Sequence, residues 1–111
     1  MRLELYCVEY NYELGKLYEQ HGRDEKALEN YRLCIENSPY EPKFQLRMGE
    51  VYSKMEDYKR AKKHIGRALK IKKDYVEALL LWAKIEETWD KNFQKAYDLY
   101  TIAKHFEPDN P

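Results

Sequence analysis

Side chains able to do chemistry are few in this sequence and stand far apart. The three histidines, His21, His64 and His105, are separated by whole helical segments, and none sits in a ligand pattern that would hold a metal. Each is expected at a surface. Cys7 and Cys34 lie in helix-like apolar patterns with no CxxC pair, which reads as two reduced packing thiols and implies a cytosolic or nuclear home. The glycines are isolated, so no glycine-rich loop can turn its N–H groups toward a phosphate. A nucleophile beside a base, a metal cluster and a phosphate cradle are all missing. The expectation is a protein that is not an enzyme and carries no cofactor.

Charge offers more than catalysis does. Between Lys59 and Lys73 stand Lys59, Arg60, Lys62, Lys63, Arg67, Lys70, Lys72 and Lys73, with no acidic residue among them. On a helix, at about 100° per residue, the six through Lys70 share one face opposite Ala61, Ile65, Ala68 and Leu69. Such a basic stripe is either a solvated outer face or a patch for an anionic partner. Over the whole chain of 111 residues the formal net charge is zero although 36% of residues are charged, so no global field favours nucleic acid or membrane. No apolar run reaches the ~18 residues of a membrane span, and the opening Met1-Arg2-Leu3-Glu4 is not that of a secretory signal. A soluble intracellular protein is expected.

The elements that must position these side chains are helices, since the chain is rich in Leu, Glu, Lys and Ala and has only four glycines and four prolines. They repeat. Leu14-Gly15 followed by Tyr18 recurs 34 residues later as Met48-Gly49 followed by Tyr52, and Ala27, Tyr31 and Cys34 recur as Ala61, Ile65 and Ala68. A further shift of 35 gives Ala96, Tyr100 and Ala103, so one residue has been added before Ala96. The small residues let two helix backbones approach, and the tyrosines fill the space beside them. Each unit is therefore a helical hairpin. Capping signals place first helices near 2–20, 42–55 and 75–88 and second helices near 24–37, 57–71 and 92–106. Asp24 and Asp57 are candidate N-caps, Pro42 suits a first helical position, and Asp74 with Glu77 has capping-box spacing.

This pattern resembles the tetratricopeptide repeat family, with its W-x2-L-G-x2-Y opening and later Ala, aromatic, Ala and Pro. The likeness covers residues 8 to 108, although Asn11, Gln45 and Leu79 stand where the opening Trp belongs, and Trp82-Ala83 and Glu86 replace Leu-Gly and Tyr in the third unit. It implies one all-α domain over 1–111, a right-handed helical-hairpin solenoid of three repeats, about 8–41, 42–75 and 76–110, with residues 1–7 as an N-terminal helical extension. It also implies a scaffold whose first helices line a partner-binding groove. Carried over by repeat position, that groove presents Glu9, Tyr12, Lys16 and Glu19, then Lys43, Leu46, Arg47, Glu50 and Ser53, then Glu77, Leu80, Leu81, Lys84 and Glu87.

One subclass grips acidic chaperone tails with Lys, Asn, Asn, Lys and Arg at set positions. Here Tyr12, Lys16, Arg47, Glu77 and Leu81 stand there, so that mechanism is not expected. A protein or peptide partner within a larger assembly is the reading that follows. The alternative is an RNA-associated scaffold, because Leu81-Trp82-Ala83-Lys84-Ile85-Glu86 followed by Ala96 and Tyr100 looks like the half-a-tetratricopeptide repeats of RNA-processing factors; it would use the basic helix face. Lastly, Phe93, Ala96, Tyr97, Leu99, Tyr100, Ile102, Ala103 and Phe106 spread over a wide arc of the final helix. Leu99, Ile102 and Phe106 are expected to form an exposed apolar strip, covered by a second copy, another subunit or a longer parent chain.

Overall fold

The computed structural model describes the backbone of residues 3–107 and the side chains of residues 8–107. Cys7, read above as a packing thiol, lies outside what it describes at that level. Six helices follow in order: α1 (Leu3–Gln20), α2 (Asp24–Asn37), α3 (Pro42–Lys54), α4 (Tyr58–Ile71), α5 (Val76–Thr88) and α6 (Phe93–Phe106). No strand occurs among the described residues.

Caps explain several of the boundaries. Pro42 opens α3 behind Glu41, whose carboxylate accepts from the Lys43 amide at 3.5 Å; Asp57 accepts from the Arg60 amide at 3.3 Å, and Asn92 from the Lys95 amide at 3.2 Å. Two capping expectations fail. The residue before α2 is Arg23, with no side-chain cap, and Asp24 sits inside the first turn, where with Glu25 it complements the positive helix end. The cap position of α5 is Tyr75 rather than Asp74, again without a side-chain bond. Tyr75 packs half-buried against the core, and burial pushes its phenol up to about 12. Ring packing, not a capping box, therefore sets where that helix starts.

Each hairpin turns on one left-handed residue: Gly22 at φ 74°, Glu56 at φ 62° and Lys91 at φ 56°. The spacing reproduces the repeat, and the added residue of the third unit falls in its turn, because α5 and α6 are joined by 89–92 whereas α3 and α4 are joined by 55–57. Within a hairpin the helices meet at a small residue and a large one. A Cβ on Gly15 would lie 2.6 Å from Tyr31 Cε1, and one on Gly49 would lie 3.0 Å from Ile65 Cγ1 and 3.4 Å from the Ala61 carbonyl. At the equivalent place in the third unit Ala83 belongs to a buried cluster against which Tyr100 packs.

Hairpins then stack in sequence, with α2 against α3, α4 against α5 and α3 against α5. One core built on Tyr31, Met48, Val51, Tyr52, Ile65 and Ile85 runs through all three units, and a second, of Leu79, Ala83, Leu99 and Ala103, fills the last hairpin. Leu69 and Trp82 touch both. A radius of gyration of 14.7 Å and extents of 46 × 27 × 24 Å describe a short rod. A sphere-like chain of this length would give about 13 Å. The all-α solenoid read from the sequence is what the helices build.

His64 corrects a reading. It is half-buried rather than superficial, stacked on Tyr52 at 5.4 Å between ring centroids, with Nδ1 2.8 Å from Gln45 Oε1. Burial, together with Arg67, Lys63 and Arg32, drives its pKa down to about 4. Cys34 is buried as expected, its thiol donating to the Val8 carbonyl at 3.5 Å and pushed up to about 11 by burial.

Two predictions test this packing. Gly15→Ala should destabilise by about 1–3 kcal/mol because the Tyr31 ring cannot yield, as should Gly49→Leu. Gly66, mid-helix with nothing within 4 Å of an added Cβ, should instead gain about 0.5–1 kcal/mol as Ala. Thermal midpoints moving in the same direction for Gly15→Ala and Gly66→Ala would contradict the close approach. The second concerns pH. His64 is neutral in the fold but titrates near 6.5 when unfolded, so its stabilising effect is complete above that pH and is lost as pH falls toward about 4. Glu50, raised by burial, acts in the opposite sense. The melting temperature of His64→Gln should therefore fall less on acidification from pH 7 to 5 than that of the unaltered chain; equal falls would exclude a linked His64.

Candidate functional site

Tyr12 of α1 gathers several of the residues that repeat position assigns to the groove. Its ring lies 5.4 Å from that of Phe44 on α3 and 6.1 Å from that of Tyr31 on α2. Three cations surround it: Lys16 Nζ at 4.8 Å and Lys43 Nζ at 4.9 Å from the ring centroid, and Arg47 with its guanidinium carbon at 5.7 Å. Arg47 Nε also donates to the Tyr12 hydroxyl at 3.1 Å and Nη1 reaches Glu50 at 3.5 Å. Each cation placed over a ring contributes about 0.5–1 kcal/mol at an exposed site. The ring thus gathers positive charge from two helices at one seam.

Beside it opens a cavity of about 350 Å³ lined by Val8, Glu9, Tyr12, Glu13, Ser38, Lys43 and Phe44. Glu13 pairs with Lys16 at 3.4 Å, so the seam carries both signs. Burial raises the Glu50 pKa, against the lowering effect of Arg47. Tyr12, Lys16, Lys43, Arg47 and Glu50 are thereby one cluster, with Glu9 on the cavity wall.

Other groove candidates go elsewhere. Leu46 is buried and Leu81 packs half-buried on the same core, so their side chains hold the stack together. Glu19 is bound on both sides, accepting from the Tyr31 hydroxyl at 2.8 Å and pairing with Lys54, and Ser53 has a buried hydroxyl without a hydrogen-bond partner. Lys84 is exposed on α5 and makes no described contact with the Tyr12 cluster. Sequence reasoning missed Phe44, Val8 and Glu13. Phe44 was the findable one, since an aromatic two residues past Pro42 on a groove-lining helix is a natural partner for Tyr12.

The basic stripe loses two of its six members. Lys62 is drawn toward α5, where Nζ lies 3.3 Å from Glu86 Oε2 and 2.5 Å from Asp90 Oδ2, and Arg60 pairs with its own N-cap Asp57 at 2.8 Å. Lys59, Lys63, Arg67 and Lys70 remain available on the outer side of α4. Lys62 turns inward toward Glu86, which occupies the place that Tyr18 and Tyr52 fill in the earlier units and is 3% exposed. Its Oε2 also accepts from Trp82 Nε1 at 2.9 Å.

The apolar strip on α6 is likewise corrected. Leu99 is buried, 5% exposed, because Ala96, Leu99 and Ala103 form the face that meets α5. Ile102 and Phe106 remain partly open at 44% and 42%. A helix wheel gives the width of an apolar arc but not which part the partner helix takes.

These hairpins define a helical-repeat scaffold. A model of the tetratricopeptide repeat matches residues 8–41 and 42–75, more than half of the chain. The chain belongs to the tetratricopeptide repeat family. Among solved structures, the first TPR of Spaghetti (RPAP3), bound to the HSP90 peptide SRMEEVD, superposes with a TM-score of 0.85 at 19% identity, covering 95% of this chain and 82% of that one. The TPR domain of Arabidopsis OM64 gives a TM-score of 0.87 at 19% identity, covering 96% and 88%. At such identity the likeness is one of fold. A curated relative, the mouse (Mus musculus) protein O-mannosyl-transferase TMTC2, is 35% identical over 77 residues, which is 67% of this chain and 9% of that protein. The chain thus spans less than a tenth of that relative, too little for its activity to transfer. Among the described residues no cluster of three or more His, Cys, Asp or Glu could hold a metal, and no helix is long and apolar enough to cross a membrane.

The Lys62–Glu86 pair yields a prediction for the third unit. Lys62→Met leaves the Glu86 carboxylate buried with Trp82 as its remaining partner, and should cost about 1–2 kcal/mol after allowing for the third of Lys62 that water reaches. Adding Glu86→Tyr, which restores the residue type of the other units, should recover most of that loss. Strictly additive losses in this cycle, read from urea midpoints, would show that the two side chains do not act together.

Proposed function

We propose that this domain is a non-catalytic, intracellular protein–protein interaction module, holding a peptide or helix of a partner at the α1–α3 seam and along α5. The observation that carries it is the Tyr12 ring with Lys16, Lys43 and Arg47 around it, beside a cavity of about 350 Å³. An acidic side chain of the partner would find three donors held in place by one ring, and an apolar neighbour would enter between Val8 and Phe44. Two solved relatives of this fold are bound to the HSP90 peptide SRMEEVD, which supports peptide binding as a use of such a surface. The acidic-tail clamp itself does not fit. At four of its five positions, Tyr12, Arg47, Glu77 and Leu81 cannot play the expected role, and Glu77 would repel a carboxylate. The ligand is better described as an internal segment with one acidic residue next to an apolar one.

An RNA-binding role would have to use Lys59, Lys63, Arg67 and Lys70. No aromatic side chain stands among those four to stack a base, so we take that face as solvated.

A peptide-display screen against the folded domain tests the main reading. Selected peptides should share an acidic residue beside an apolar one. Tyr12→Ala with Arg47→Ala should weaken their binding about tenfold or more at an unchanged helical spectrum, the scale expected when one charge-assisted hydrogen bond is removed. Selection of basic peptides, or retained affinity in the double variant, would move the site away from the seam. Charge reversal at Lys63, Arg67 and Lys70 should change binding neither to these peptides nor to single-stranded RNA.

A further inference from the structure

The two ends of the rod are complementary, and the repeat itself shows how. Tyr10, Leu14 and Leu17 of α1 are exposed at 64%, 43% and 51%, and with Glu13 they line one shallow apolar surface. Moved along by 34 residues they become Phe44, Met48 and Val51, which are 4%, 2% and 0% exposed because α3 presses them against the first hairpin. The same three positions therefore form the stacking face of a first helix, and α1 carries that face with nothing against it among the described residues.

At the other end a cleft of about 170 Å³ lies between α5 and α6, lined by Val76, Leu80, Tyr100, Ala103, Lys104 and Glu107. Moved back through the repeats, its first four residues become Val8, Tyr12, Tyr31 and Cys34, the surface on which Phe44 is seated. Among the described residues no helix occupies this place. The chain thus bears a stacking face at its head and the matching seat at its tail.

We infer that the domain binds a second copy of itself head to tail, α1 of one copy packing into the α5–α6 cleft of the next as α3 packs on the first hairpin. Charge argues for a copy of this chain as the occupant. Within the chain Glu50 lies within electrostatic reach of Glu77, a like-charged pair across the α3–α5 seam. One repeat further on, the same pair of positions brings Lys84 opposite Glu9 of the incoming copy, an attractive pair. The head edge also carries Glu13 and the tail edge Lys104. This contact is heterologous and does not close on itself, so it propagates a filament instead of stopping at a dimer. The surfaces lie at the two ends of the rod, and at the head edge Glu9 and Glu13 also line the cavity beside Tyr12.

Sedimentation velocity with the full chain tests this. The weight-average sedimentation coefficient should climb steadily between about 10 and about 300 µM, the range in which one such seam of modest area associates. Leu14→Glu blocks the head and Leu80→Glu blocks the tail; both sites are solvent-exposed, so both variants should remain folded by circular dichroism and sediment as monomers. Mixed in equal amounts, the two should give a dimer and nothing larger, because only the intact tail of Leu14→Glu and the intact head of Leu80→Glu can meet. Glu9→Lys should weaken assembly at least several-fold, and combining it with Lys84→Glu should restore it. A monomer throughout the concentration range, self-association by either single variant alone, or a mixture that stays monomeric would each overturn the inference.

Discussion

The close approach of two helices at Gly15 and Tyr31 is the constraint on which the rest of this molecule depends. An added methyl group would stand 2.6 Å from the Tyr31 ring, so glycine is what allows the ring to lie flat against α1. That position in turn places the Tyr31 hydroxyl on Glu19 and the face of the ring beside Tyr12. The second unit achieves a similar approach with Gly49 and Ile65, and in the third Tyr100 packs against the buried cluster that holds Ala83. Because the small residue always lies on the first helix and the large one on the second, the hairpins stay alike in outline and stack in sequence. Small differences inside the hairpins then become differences in what the stack displays.

The third unit illustrates how such a difference spreads. A buried carboxylate at Glu86, in the place of a tyrosine, needs a counter-charge, and Lys62 on the preceding hairpin supplies it while Trp82 donates from its own helix. The consequence is felt on the other side of α4, where a run of basic residues that looked continuous is divided by one side chain turning inward. A polar pair costs more to bury than apolar packing gives back. It sets this junction apart from the α2–α3 one, where Leu28 and Tyr52 stand at the same two positions.

Helix positions were legible from sequence almost to the residue, because they rest on local signals: the repeat of small residues, Pro42, and the turn ending at Asp57. Apart from the cap of α2, which falls on Arg23 instead of Asp24, and Arg60, which pairs with Asp57 three residues before it, the failures involve partners remote in sequence. Tyr75 starts α5 by packing on the core, which no capping rule at Asp74 reports. His64 is covered by Tyr52 and Gln45, 12 and 19 residues away, and Leu99 by the facing helix α5. The groove was half legible. Repeat positions identified Tyr12, Lys16, Lys43, Arg47 and Glu50, yet the same rule named Leu46 and Leu81, because it reports which helix lines a surface and not how deep each side chain sits.

What remains of α1 and α3 after packing decides the chemistry available for binding. One face of each first helix is spent on its hairpin and another on its neighbour, which leaves a narrow strip bearing Lys16, Lys43 and Arg47. Charges on such a strip are open to solvent and would ordinarily be mobile and screened within about 8 Å at physiological salt. The Tyr12 ring changes that by offering them a common attractive surface, and its hydroxyl fixes Arg47 directly. Ordering three long side chains before a ligand arrives lowers the entropy cost of engaging it. The aromatic at position 12 therefore does two jobs, closing the core beside Tyr31 and Phe44 on one side and organising charge on the other, so the placing of the three cations depends on the packing of the first hairpin.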